Sequence, residues 1–129
     1  MPLLQQEFQY DPHRMLLACI MLNQTSNKHV RQVIYSFFDR WPTPQSIIEA
    51  DPNEIRDHIR PLGFYNIRTN RIIQFTKEYI TKKFTKISEL HGIGKYAEDS
   101  YEIFINGNLN VQPTDKILRK YLNGEYINQ

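Results

Sequence analysis

Residues 15–22, MLLACIML, form the longest unbroken apolar run in the chain and restrict its possible folds more than any other feature. Asp11-Pro12 stand just before it, a side-chain cap and a first-turn proline, so His13 to Leu22 reads as a helix that is apolar on nearly every side. Such a helix has no face to offer to water and must be covered all round. The run is far short of the roughly 20 apolar residues that cross a bilayer, and no charged start marks it as a secretory signal. The expectation is a central helix inside a bundle of others, in a soluble protein that contacts no membrane.

The covering helices are legible too. After the polar break at 23–27, Val30, Val33, Ile34, Phe37 and Phe38 recur at three- and four-residue spacing, one buried stripe of a second helix. Trp41-Pro42 closes it, Thr43-Pro44 and Asp51-Pro52 each open a short helix, and Glu54, three residues after Asp51, completes a capping box. The stretch RPLGFYN, residues 60–66, reads as a loop before a long helix over 67–84 with Ile72, Phe75, Tyr79 and Ile80 on its apolar face. Nothing alternates with period two for long enough to be a strand, so the fold class is all-α, and 129 residues suit a single domain over 1–129.

Composition excludes more than it identifies. The lone cysteine, Cys19, rules out an internal disulfide and any four-cysteine zinc or iron–sulfur site within the chain, and it points to a reduced, intracellular compartment. His13, His29, His58 and His91 have no metal-ligand spacing, so each is expected at the surface or as a cap and no catalytic metal is expected. A formal charge of +2 does not by itself announce nucleic acid.

Residues 90–101, LHGIGKYAEDSY, put two of the five glycines one residue apart, directly before a helix that starts at about Lys95. Glycine accepts positive φ and lets backbone come close to a partner, so Gly92-Ile93-Gly94 makes a hairpin whose N–H groups can point one way. The unpaired amides of the next helix add to the same anion site, where a phosphate would fit. A plain glycine-capped turn between helices explains the same letters equally well.

The stretch Leu90-His91-Gly92-Ile93-Gly94-Lys95-Tyr96-Ala97 resembles the helix-hairpin-helix element of the base-excision DNA glycosylases. In that superfamily a Pro-containing loop and an aspartate follow the hairpin; here Val111-Gln112-Pro113-Thr114-Asp115 follows it, with Asp115 nineteen residues after Tyr96. Four ordered blocks, LNQTSNK, PLGFYNIR, ELHGIGKYAEDSY and QPTDKILRKY, are similar to thymine DNA glycosylases of the methyl-CpG-binding-domain type, over about residues 4–121. No methyl-CpG-binding domain is expected within this chain.

The resemblance implies a two-lobed helical glycosylase fold acting on double-stranded DNA that carries G·T or G·U mispairs, as a monomer, in the nucleus of a eukaryote or otherwise inside the cell. It implies that Asp115 is the catalytic carboxylate, although an aspartate after Pro-Thr also reads as a helix cap. It implies that Tyr96 lines the pocket for an extruded base, where bifunctional relatives carry a nucleophilic lysine, and that Gln5 reads the pyrimidine edge, although a near-terminal glutamine is ordinarily in solvent. Leu62, Gly63 and Phe64 match a wedge that enters the duplex, and the alternative is that Leu62 and Phe64 plug the core. Gln24 stands where an arginine fills the vacated base position, and Ile117 where a lysine stands beside the aspartate; both departures imply weaker DNA binding. Gly92, Ile93, Gly94, Lys95 and Lys116 would meet the DNA backbone. Lys28, Arg31, Arg68, Arg71, Arg119 and Lys120 also fit a phosphate surface, whereas Lys77, Lys82, Lys83 and Lys86 suit a solvated face. No cofactor is implied beyond a monovalent cation at the hairpin carbonyls. Two other readings stay open: a DNA-binding module without catalysis, and a glycosylase of the same superfamily with another base preference.

Overall fold

The computed structural model describes residues 1–126, and these hold eight α-helices and no strand: α1 (Leu4–Glu7), α2 (Pro12–Leu22), α3 (Asn27–Arg40), α4 (Pro44–Glu49), α5 (Pro52–Ile59), α6 (Tyr65–Thr81), α7 (Lys95–Phe104) and α8 (Lys116–Leu122). Single 3-10 turns at Arg60–Leu62 and Ile87–Glu89 join them. Every residue of the apolar run is buried, and α2 contacts α1, α3, α6 and α7, as a helix without a polar face requires. Each of its fully buried Leu, Ile and Met side chains contributes about 1.5–3 kcal/mol of transfer free energy.

Two lobes flank α2. Helices α3 to α6 pack on one another, with α5 and α4 on α6 and α3 on α5; α1 packs on α7 on the other side, and α8 joins α7 through Phe104 and Tyr121, ring centroids 5.0 Å apart. One apolar core runs through both. Among the described residues no helix is long and apolar enough to cross a membrane.

Local chemistry sets the helix starts. Asp11 accepts from Arg14 N and Ser26 from His29 N, while Thr43 and Ser46 form a reciprocal capping box. The box expected between Asp51 and Glu54 does not form. Asp51 accepts instead from Asn53 N at 2.9 Å, and Glu54 is drawn to Arg40 at 2.8 Å. Helix α6 starts at Tyr65, because Phe64 takes φ +46° and its carbonyl already accepts from Arg68 N at 2.9 Å, and it ends at Thr81, where Lys82 turns extended; both ends come earlier than the periodicity indicates. Ile72 and Phe75 are buried as expected, but Ile80 in the last turn is 44% exposed while Tyr79 turns toward His13 and Phe84. Ahead of the glycine hairpin stands only the 3-10 turn Ile87–Glu89.

His13 is neither at the surface nor a cap. Its ring lies buried at a stacking distance of 5.5 Å from Phe75, and Nε2 pairs with Thr76 Oγ1 at 3.0 Å. Burial lowers its pKa from 6.5 to about 4, opposed by Asp11 and assisted by Arg14.

Candidate functional site

Asp115 follows the buried Pro113 and caps α8, accepting from Leu118 N at 2.9 Å through Oδ2. Both readings of this aspartate therefore have a place, because only one carboxylate oxygen is used in the cap and the other takes no hydrogen bond among the described residues. Asp115 lines a cleft of about 510 Å3 with Tyr96, Gln24, Thr114 and Tyr126. Ile117 also faces this cleft, whereas Lys116 is exposed in the first turn of α8 and does not line it.

Tyr96 enters the cleft from the first turn of α7. Burial drives its pKa well above the ordinary phenol value, and the neighbouring Cys19 thiol and Asp115 carboxylate add to the effect, so Tyr96 is a neutral phenol. The Gln5 amide donates to its oxygen at 2.7 Å, which leaves the phenol hydrogen free for another acceptor.

Gln5 is not in solvent. Leu3, Leu4 and Phe8 are buried around it, Leu4 N donates to Asn27 Oδ1 at 3.2 Å, and Arg31 ties Glu7 to the carbonyl of Pro2, so α1 is fixed and Gln5 is 1% exposed. Its Nε2 also reaches Ser100 Oγ at 3.4 Å, while Oε1 is buried without any partner. An orphaned carbonyl oxygen of this kind costs about 1–3 kcal/mol. Gln5 does not line the cleft itself and reaches it only through Tyr96.

A second cleft, of about 230 Å3, lies against the hairpin and is lined by Gly92, Gly94, Lys95, Arg71, Asn23 and Cys19, among others. Gly92 favours glycine through its φ of +81°, since a Cβ would meet Ile20 Cδ1 only at an ordinary contact of 3.6 Å. Gly94 has ordinary negative φ and nothing within 4 Å of a built Cβ, so the protein itself does not demand glycine there and the backbone faces open space. Ile93 points inward and is buried, leaving only its backbone to the surface. Lys95 Nζ is held by Asp99 of its own helix at 2.9 Å. Burial pushes the Cys19 thiol up to about 12, so it is an inert part of this wall.

The loop Leu62-Gly63-Phe64 divides the two readings given for it. Leu62 is 8% exposed and plugs the core, whereas Phe64 is 63% exposed and stands out from the loop. Phe64 and Gln24 are the two non-glycine residues with positive φ among those described, at +46° and +60°. They meet across a small third cleft, of about 180 Å3, together with Ile67, Arg68 and Arg71.

Three features escape sequence reasoning. Arg31 and Arg68, assigned to a phosphate surface by their charge, turn inward: Arg31 to Glu7, and Arg68 to the backbone of two loops, where it is 2% exposed. Tyr126 lines the large cleft and donates to the carbonyl of Met1 at 3.1 Å. No periodicity or motif signals any of them. Among the described residues no cluster of His, Cys, Asp and Glu could hold a metal ion.

Residues 17–123 match the family model described as HhH-GPD superfamily base excision DNA repair protein. The chain is 40% identical over 120 residues to the methyl-CpG-binding domain protein 4-like protein of Arabidopsis thaliana, covering 92% of this chain and 27% of that protein. Its fold is similar to that of a thermostable thymine-DNA glycosylase, with a TM-score of 0.74 at 22% identity, covering 83% of this chain and 52% of that one. It is also similar to endonuclease III trapped in a covalent intermediate with DNA, with a TM-score of 0.72 at 18% identity, covering 88% of this chain and 55% of that one. The chain thus spans about a quarter of the plant relative and about half of the two solved chains.

Proposed function

The chain belongs to the HhH-GPD superfamily of base excision DNA repair proteins, and from that membership we propose that it is a monofunctional DNA N-glycosylase releasing thymine or uracil from G·T and G·U mispairs. What supports the reading most directly is the shared cleft of Asp115 and Tyr96, with one carboxylate oxygen left over from the α8 cap.

In this reading the mispaired pyrimidine leaves the stack, at a cost of a few kcal/mol that is least at a mismatch, and enters the cleft. The bond between sugar C1′ and the base nitrogen breaks and its electron pair leaves with the base. Asp115 stabilises the positive charge spread over C1′ and the ring oxygen in a site poor in water. A water oxygen then bonds to C1′, and its proton ends on the departed base. Gln5 Oε1, orphaned in the free chain, would accept the pyrimidine N–H once Tyr96 gives way, and the free phenol hydrogen would meet a base carbonyl. Tyr96 offers no amine to attack C1′, and Lys95 is engaged with Asp99, so no imine and no strand cleavage are expected.

Phe64 would enter the duplex beside the extruded base, and the hairpin amides with Arg71 would hold a backbone phosphate. A monovalent cation at the hairpin carbonyls would assist that contact, and the chemistry needs no other cofactor. Gln24 and Ile117 supply less positive charge than an arginine and a lysine would, so mispaired DNA is held weakly.

Single-turnover assays on duplexes with one G·T, G·U or G·C pair test the proposal. Thymine and uracil should be released from the mispairs and nothing from G·C; no release from either mispair overturns it. The cap made by Asp115 favours one second reading, a mismatch-binding module without catalysis, in which duplexes are bound and every base stays attached.

A further inference from the structure

Arg68 is a buried cation with no buried anion beside it. Its guanidinium donates to Leu62 O at 2.5 Å, Gly63 O at 2.6 Å, Thr25 Oγ1 at 2.5 Å and the carbonyl of Asn23. All four acceptors are uncharged. Among the described residues no carboxylate lies within ion-pair distance of Arg68 or of the neighbouring Arg71. Desolvation lowers the Arg68 pKa from its ordinary value and Arg71 lowers it further. A cation in such a place is costly to keep, and what it returns is the hydrogen bonding of three backbone carbonyls and one hydroxyl.

The geometry of the four bonds explains what the guanidinium does there. Two acceptors lie on the loop that ends α2, and two on the loop that starts α6, about 40 residues later in the chain. Gln24 sits between the first pair of acceptors, and Phe64 directly follows the second. Both have the left-handed backbone that is strained for a non-glycine residue and persists only where the surroundings enforce it. The Arg68 side chain also passes the Phe64 ring, with Cζ 5.6 Å from its centroid. One planar group with a fixed fork of donors therefore constrains both strained residues at once.

We propose that Arg68 is a positioning residue that welds the Gln24 loop and the Phe64 loop into one rigid two-pronged insert, so that the prong facing the vacated base position and the prong facing the neighbouring base step enter DNA together. The role in DNA rests on the proposed function; the weld is a property of the free chain. The unbalanced charge belongs to the same device, since a DNA phosphate at the cleft shared by Arg68 and Arg71 supplies the anion that the protein lacks.

The test begins without DNA. Thr25→Val touches only the first loop and removes one Arg68 acceptor at a half-buried position, so the variant folds. Hydrogen exchange is read at the Gly63 amide, bonded to Arg60 O at 3.0 Å in the second loop, with core amides of α3 as the control. Gly63 exchange should speed at least about fivefold in Thr25→Val, the scale of coupling within one hydrogen-bond network, and further in Arg68→Met, while the control amides hold. Unchanged Gly63 exchange in folded Thr25→Val overturns the weld. Binding to a G·T duplex is then measured for Gln24→Ala, Phe64→Ala and the double variant. The two should be non-additive with Arg68 in place and additive in Thr25→Val; equal coupling in both backgrounds also overturns the proposal. A wild-type chain that releases no base refutes the proposed function and leaves the exchange result standing.

Discussion

Replacing Gln5 by leucine should stabilise the free chain and damage its activity, and the opposite signs follow from one atom. In the free protein Gln5 Oε1 is buried without a partner, and Nε2 makes one good bond, 2.7 Å to Tyr96, and one long one, 3.4 Å to Ser100. Leucine removes the orphaned carbonyl, a gain of about 1–3 kcal/mol, and removes the Tyr96 bond, a loss of about 0.5–1.5 kcal/mol. Ser100 and Tyr96 keep hydroxyls that can donate elsewhere. The difference favours the variant by about 1 kcal/mol, or about 4 °C in Tm for a chain of this size.

In the proposed complex the balance reverses, because Oε1 then accepts the N–H of the extruded pyrimidine, which leucine would leave buried without a partner. A buried N–H left without its acceptor costs about 1–3 kcal/mol, which lowers the population of base held in the cleft, so single-turnover release of thymine should fall by about 5- to 150-fold. Thermal unfolding by circular dichroism and quenched-flow excision at saturating enzyme give the two numbers. A variant destabilised by more than about 2 kcal/mol, with excision unchanged, refutes the reasoning, since Gln5 would then be a structural amide with no role toward the base.

Three further outcomes are expected. Asp115→Asn keeps the α8 cap, because asparagine caps as well as aspartate, so stability should hold while base release falls by at least about 10²-fold; Asp115→Ala should lose both. Borohydride should trap no DNA adduct, and strand breaks should appear only after alkali or heat; a trapped adduct would make an amine such as Lys95 the nucleophile. Stability should be flat above neutral pH and fall as the pH drops from 6.5 toward 4, because the unfolded chain protonates its His13 equivalent first while the folded pKa stays at about 4. The loss is about 3 kcal/mol by linkage, and His13→Gln, which keeps a bond to Thr76 without titrating, should remove that slope in urea melts taken across the range.

What was legible in the chain follows a physical pattern. Burial leaves its mark on every letter of residues 15–22, so α2 and its covering stripe Val30, Val33, Ile34, Phe37 and Phe38 were readable from apolar spacing alone. The hairpin was readable because Gly92 sits where only glycine is comfortable. Leu62 and Phe64 could not be told apart, since both are apolar and only the φ of +46° at Phe64 sends one out and leaves the other in. His13, Arg31 and Arg68 were misplaced for the opposite reason, and Gln5 was placed inside only by resemblance: polar letters argue for the surface, and nothing local announces a partner many residues away.

Those misplacements are not scattered at random in the fold. Gln5 is buried behind Tyr96, one residue away from the large cleft, and Arg68 holds the loops of Gln24 and Phe64, so an uncompensated cation and two strained residues border clefts that share Asn23, and an orphaned carbonyl lies directly behind one of them. The orphaned carbonyl and the two left-handed residues cost the free chain stability that leucine at 5 or glycine at 24 and 64 would not. An unpaired acceptor and an unbalanced cation are complementary to two different parts of one ligand, the hydrogen-bonding edge of a base and the phosphate of its backbone. Local conflicts gathered around these neighbouring clefts support the proposed nucleotide-binding site on physical grounds, beside the likeness to known proteins. Gln5→Leu and Gln24→Gly, which relieve a conflict without stranding another acceptor, should therefore raise the stability of the free chain and lower its affinity for mispaired DNA together.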